Sequence, residues 1–233
     1  AQKLTKGLVI KMKEKVKFAF HILTHPFDGF YDMKREKKGS LAMALLLFLL
    51  TIVTQILSKQ MMAFLFNPDK FAPFDVIFEI NKLLILFVVF CIANWSVTTL
   101  MQGEGTFKDI VMTTGYACLP MVLIPLPVAI ISNIAAYTEE IYLTTANTVA
   151  VIWFGVLLFI GIMTVHQYSL SRMVGTTVVT VVAMMAIIFL LIINLLSISG
   201  VNAASNPYKQ SGPYGTNCTW YAWKMAYEKA GVT

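Results

Sequence analysis

From Leu41 onward the apolar positions gather into five runs, residues 41–57, 83–101, 110–131, 149–165 and 176–196, separated by short polar stretches. Each run has 17 to 22 residues, close to the roughly 20 that an α-helix needs to cross bilayer hydrocarbon. The pattern predicts five transmembrane helices. Residues 4–25 follow a different rhythm. Leu8, Val9, Met12, Val16, Phe20 and Leu23 fall on one face at 100° per residue, with Lys3, Lys6, Lys11, Lys13 and Lys17 on the flank or far side. That is the pattern of a basic amphipathic helix lying in the membrane interface. A solvated helix packed on a separate domain is the blander reading, and no such domain is evident. Pro26 ends this helix. The stretch from His25 to Ser40 then carries a turn signal at Asp28-Gly29 and three aromatics suited to the head-group zone, Phe27, Phe30 and Tyr31.

The second and third runs meet in a polar tip, Gln102 to Asp109, within the stretch Cys91 to Pro120 around which the other spans are organised. Gly103 and Gly105 are expected to supply the backbone freedom of a tight reversal. The third run contains Pro120, Pro125 and Pro127, which kink a spanning helix and free carbonyls that neighbours must satisfy. Lys59 to Asn81, with turn residues Asn67-Pro68-Asp69 and Pro73, and Ser132 to Asn147, with Glu139 and Glu140, read as connectors, and His166 to Gly175 as a short basic link. The domain boundaries expected are 1–40 for the basic N-terminal segment, 41–199 for the five-span domain and 200–233 for a tail beyond the membrane.

Composition supports lipid as the solvent. Hydrophobic residues make up 58% and charged residues 13%, against about 25% charged in an ordinary soluble protein. The net charge of +6 is concentrated, because ten of the eighteen Lys and Arg lie in the first forty residues. A basic block beside a span points to anionic lipid head groups, and no nucleic-acid-binding signature accompanies it. The candidate head-group contacts are Lys11, Lys13, Lys17, Lys34, Arg35, Lys37 and Lys38. With the N-terminus inside, inner segments carry twelve Lys and Arg and outer ones six. That imbalance predicts a cytoplasmic N-terminus and, after five spans, an extracytoplasmic C-terminus.

Candidate chemistry is sparse. Cys91 and Cys118 fall inside apolar runs, where a thiol acts as a small hydrophobe. His21 and His25 stand at i, i+4 with Asp28 and Asp32 behind, a metal-like spacing. Pro26 breaks the helix after the second His and no Cys or Glu stands at ligand spacing, so interfacial histidines are the favoured reading. Asn94, Ser96, Thr98, Thr99, Thr113, Thr114 and Asn194 lie at bilayer depth and can hydrogen-bond between helices. No Asp, Glu, Lys or Arg sits mid-span, which counts against a pump or secondary carrier and leaves a channel or flip pathway open. Asn94-Trp95-Ser96 and Asn217-Cys218-Thr219 match the glycosylation pattern but are set aside, the first for its depth and the second for its weak central residue. Neither a metal nor a cofactor is expected.

The segment His25-Pro26-Phe27-Asp28-Gly29-Phe30-Tyr31-Asp32, followed by Lys34-Arg35-Glu36-Lys37, resembles the region before the first span of bacterial Yip1-domain proteins. Asn94-Trp95, Leu100 to Asp109, Gly115-Tyr116 to Pro120, and Thr164-Val165-His166-Gln167-Tyr168 resemble the same family's second and third spans and the link after its fourth. These stretches cover about Met12 to Gly200, in order. The resemblance implies a five-span α-helical membrane protein with a cytoplasmic N-terminus. Eukaryotic relatives act in traffic between endoplasmic reticulum and Golgi and bind small GTPases of the Rab type, machinery that bacteria lack. Met12 is a more natural start than Ala1, so residues 1–11 read as upstream sequence.

The tail departs from that family. Gly215 to Trp223 resembles the opening of CHAP amidase domains, where a Cys at the position of Cys218 is the nucleophile. No His follows it before Thr233, so Cys218 is catalytic only if such a domain continues. Leu190 to Ser205 also reads as a secretion signal, with Val201-Asn202-Ala203 as a cleavage-like tripeptide, so the tail is either a joined exported fragment or a second reading unit. The leading expectation is a non-enzymatic scaffold or accessory subunit of the bacterial cytoplasmic membrane. Its partners are membrane lipid and other membrane proteins, and its candidate partner contacts are Gln102, Gly103, Glu104, Gly105, Lys108 and Asp109. A passage for a solute or lipid, lined by the third span, and a truncated wall hydrolase are the alternatives.

Overall fold

Pro26 has two effects on the backbone. It ends helix α1 (Gln2–Thr24) and, as the first residue of α2 (Pro26–Arg35), begins the next, because its fixed φ suits a first helical turn while its missing N–H would have had no partner there. The sequence expectation of a turn at Asp28-Gly29 is thereby corrected: both residues lie inside α2. The computed structural model describes residues 2–67, 75–204, 225–226 and 228–230, with side chains described from 12 to 194 within these ranges and again in the last two. Among the described residues the chain is all-α with no strand.

Among the described residues, five helices are long and apolar enough to cross a membrane: Leu41–Met61, Val76–Leu100, Phe107–Ile131, Tyr137–His166 and Leu170–Asn194. The protein is an all-α, multi-pass membrane protein. The first span is α3 (Leu41–Met61) and the second is α4 (Val76–Leu100). The third is broken into α5 (Phe107–Ala117), α6 (Leu119–Leu123) and α7 (Pro125–Ile131). The fourth is α8 (Glu140–His166) and the fifth belongs to α9 (Leu170–Ala204). The breaks in the third span fall beside Pro120 and Pro125, as the missing N–H groups require. Two spans begin well before their apolar runs, at Val76 and Glu140 instead of 83 and 149. Polar residues such as Asn81 and Asn147 continue a helix once it is nucleated, and hydropathy alone does not register them.

The chain divides into two units, residues 1–184 and 185–233. In the first, the broken third span is the central one: 56% of its most apolar 18 residues are buried, against 17–39% of the same length in the first, second and fourth spans. α5 packs most extensively on α3 and then on α8. One apolar core joins Ala19, Ile22, Phe30, Met33, Ala44, Leu47, Tyr116 and Leu157, and a second joins Cys91, Ile110, Ile162, Tyr168 and Met173. Helices α1 and α2 are therefore part of the bundle. α1 docks through Phe18, Ala19, Ile22 and Leu23 while Met12, Val16 and Phe20 stay exposed on a second apolar stripe. Phe30, expected among head groups, is fully buried, whereas Phe27 and Tyr31 are about half exposed. The second unit holds the remainder of α9; the CHAP-like motif with Cys218, and the turn signals from Pro68 to Pro73, lie outside the described residues.

Candidate functional site

At the end of the bundle that carries α1 and α2, three helices stop in the same way. Lys37, Gln102 and Gln167 adopt left-handed backbone, with φ of 53°, 56° and 56°. Beyond each, an amide reaches back five or six residues: Lys38 to Asp32 at 3.4 Å, Gly103 to Thr98 at 2.9 Å and Tyr168 to Met163 at 3.0 Å. These are Schellman-type ends, which satisfy carbonyls that a helix terminus otherwise strands. A side chain in this conformation is strained by roughly 1–2 kcal/mol. Gln102→Gly is accordingly expected to raise stability by about 0.5–1 kcal/mol, seen as a higher melting midpoint in detergent.

The hairpin tip is clamped rather than free. Gly103 and Gly105 do not take up the left-handed conformation; Gln102 does. The glycines serve close approach instead. A Cβ on Gly103 would sit 2.3 Å from His166 Nδ1 and 2.6 Å from the Tyr168 hydroxyl, and one on Gly105 would sit 2.6 Å from His166 Cε1. The His166 and Tyr168 rings stack at 5.4 Å beneath the tip. Gly105 N–H donates to His166 Nδ1 at 3.2 Å, which places the proton of the neutral ring on Nε2. His166 is buried and its Nε2 has no hydrogen-bond partner among the described residues. The Tyr168 hydroxyl donates to the Thr98 carbonyl at 3.2 Å, the Arg172 guanidinium lies 5.5 Å above its ring, and burial pushes its pKa up. Thr106 and Asp109 form a reciprocal capping box that starts α5, for which the Thr-x-x-Asp spacing is the sequence signal.

The six candidate partner contacts thus separate by role. Gln102, Glu104 and Lys108 are exposed and available for contact. Gly103 and Gly105 lie against His166 and Tyr168, and Asp109 is held by the capping box, so these three build the frame. Glu104 accepts from Arg35 Nη2 at 3.0 Å, tying the tip to α2, although both side chains are about half exposed and the pair adds little stability by itself.

The candidate head-group lysines divide similarly. Lys13, Lys17 and Lys37 are exposed, whereas the Lys11 side chain lies outside the described residues. Lys38 pairs with Asp32 at 2.8 Å and with Glu36, which raises its pKa. Lys34 differs from the expectation. Its ammonium donates to the Val165 carbonyl in the last turn of α8, where a cation suits the helix C-terminus. Burial pushes its pKa down, with Asp109 and Glu104 pulling the other way. His21 and His25 stack on one another at 5.2 Å, and the His25 ring bonds to its neighbour Thr24.

Two features carry no sequence-based assignment. His166 and Tyr168 were legible only as part of a similar stretch, not as the floor under the tip. The second is a polar stripe on α3, Thr51, Thr54, Gln55 and Ser58, at spacings of three and four that put all of them on one face. Thr51, Thr54 and Ser58 are each about 5% exposed.

The Yip1 domain family model matches residues 20–193. No curated protein and no solved structure matches the chain.

Proposed function

This chain belongs to the Yip1 domain family, and from that premise we propose that it is a non-enzymatic scaffold or accessory subunit of a bacterial membrane complex. The observation that supports this reading is the construction of the α1–α2 end. Three helix ends, the hairpin tip, His166, Tyr168 and α2 lock into one rigid polar platform, with Gln102, Glu104 and Lys108 exposed on it. A preorganised surface lowers the ordering cost of association. In this proposal the platform faces the cytoplasm of a bacterial cell, where Lys13, Lys17 and Lys37 meet anionic lipid.

The test is co-purification from detergent-solubilised membranes. Glu104→Ala with Lys108→Ala is expected to lose partners that the wild type retains, while the melting midpoint stays within about 1 °C because exposed charges contribute little to folding. A wild-type protein that carries no partner, or a variant that keeps them all, contradicts the proposal.

A further inference from the structure

The polar stripe on α3 ends in a cavity. At the opposite end of the bundle from the platform lies a space of about 300 Å³, bordered by Gln55, Ser58 and Lys59 of α3, by Met121 and Pro125 of the broken third span, and by Val151 of α8. Gln55 is six residues from Met61, so it lies about 9 Å inside the end of α3. Gln55 Nε2 and Ser58 Oγ are buried there with no hydrogen-bond partner among the described residues. Native proteins rarely leave such donors unmatched, and each is costly in isolation. Across the cavity, Pro125 has no N–H to offer the Met121 carbonyl one turn earlier. Irregular backbone at membrane depth is tolerated where it lines a cavity or a binding site. A buried polar stripe facing a broken helix is therefore a place built for an occupant that brings its own polar atoms.

We propose that this cavity holds the phosphate-bearing head group of a phospholipid. Three observations choose that chemistry. The unmatched groups on the α3 wall include an amide NH2 that can only donate, so the occupant must present acceptor oxygens. Lys59 at the rim shares Glu79 with Lys82, giving two cations to one carboxylate, which favours an anionic group. Val151 lines the cavity and is also 53% exposed on the apolar flank of α8, so the space adjoins the surface that meets lipid chains. A volume of about 300 Å³ suits a head group and not a whole lipid, which leaves the chains to run outside along the bundle. The phosphate oxygens accept from Gln55 and Ser58, and a head-group hydroxyl donates to the Met121 carbonyl. The inference depends on the membrane-spanning fold and is independent of whether the platform binds partners.

The experiment measures binding of dioctanoyl phosphatidylglycerol to the full chain in detergent, with dioctanoylglycerol and glycerol 3-phosphate as probes lacking the phosphate or the chains. Saturable binding of the phospholipid is expected, with each partial probe at least tenfold weaker. Gln55→Leu with Ser58→Ala should weaken it at least tenfold while leaving the ligand-free melting midpoint equal or higher, because two unmatched polar groups are removed. Val151→Trp, which narrows the cavity from α8 and leaves both donors in place, should weaken it equally, and Ser96→Ala on α4 should not. Absent saturable binding, unchanged affinity in both cavity variants, or a partial probe that binds as tightly as the phospholipid overturns the proposal.

Discussion

Gly115→Ala is expected to lower stability by roughly 2–3 kcal/mol, the scale of forcing an extra carbon into a packed core. The added Cβ would lie 2.5 Å from the Ala44 carbonyl oxygen and 2.8 Å from its carbon. Those are backbone atoms of α3, so no side chain can swing away to make room; the helices themselves must part. α3 against α5 is the most extensive contact in the bundle, and small residues at such crossings are what let spanning helices approach closely. Gly155 and Gly175 supply the control, since a Cβ at either meets nothing within 4 Å. Gly155→Ala and Gly175→Ala should be neutral or stabilising by up to about 1 kcal/mol through helix propensity. Melting of the purified variants in one detergent checks this. Equal behaviour of Gly115→Ala and Gly155→Ala would show that α3 and α5 do not pack as described.

The second large effect is a coupling. Gly105→Ala drives a methyl into the His166 ring and should cost about 2 kcal/mol. His166→Ala removes a buried ring and strands the Gly105 N–H that it accepts, at roughly 2–4 kcal/mol. Combined, the two changes fit each other, because the methyl enters the space the ring vacates. The double variant should therefore be at least about 1 kcal/mol more stable than the sum of the single effects predicts. Strict additivity would separate the hairpin tip from His166 and remove the physical basis of the rigid platform.

The five spans were legible because hydropathy and length constrain a helix in lipid directly, and each apolar run lies largely within one of the observed spans. Where the structure differs from the sequence pattern, the deciding contacts are tertiary. Asp28-Gly29 carries a turn signal, yet Pro26 nucleates a helix there and Gly29 packs against Ile22. Gly103 and Gly105 look like turn glycines, but the left-handed residue is Gln102, and the glycines are small because a histidine and a tyrosine from 60 or so residues later lie on them. Phe30 and Lys34 read as interfacial because neither Gly161 nor the end of α8 can be seen from their own segment. The Thr51, Thr54, Gln55 and Ser58 stripe lies in a run with no charge, where only its spacing of three and four distinguishes it from the surrounding apolar residues.

Five spans require the connectors to alternate between the two sides of a bilayer. Single cysteines at Lys17, Asn67, Lys108, Ile134 and Ser169, placed in a Cys218→Ser background, report it through a membrane-impermeant maleimide in sealed vesicles. The native Cys91 and Cys118 are buried and stay silent. The fold predicts that positions 17, 108 and 169 react from one side and 67 and 134 only from the other. Reaction of position 108 from the same side as 134, or of all five from one side, would contradict the five-span arrangement.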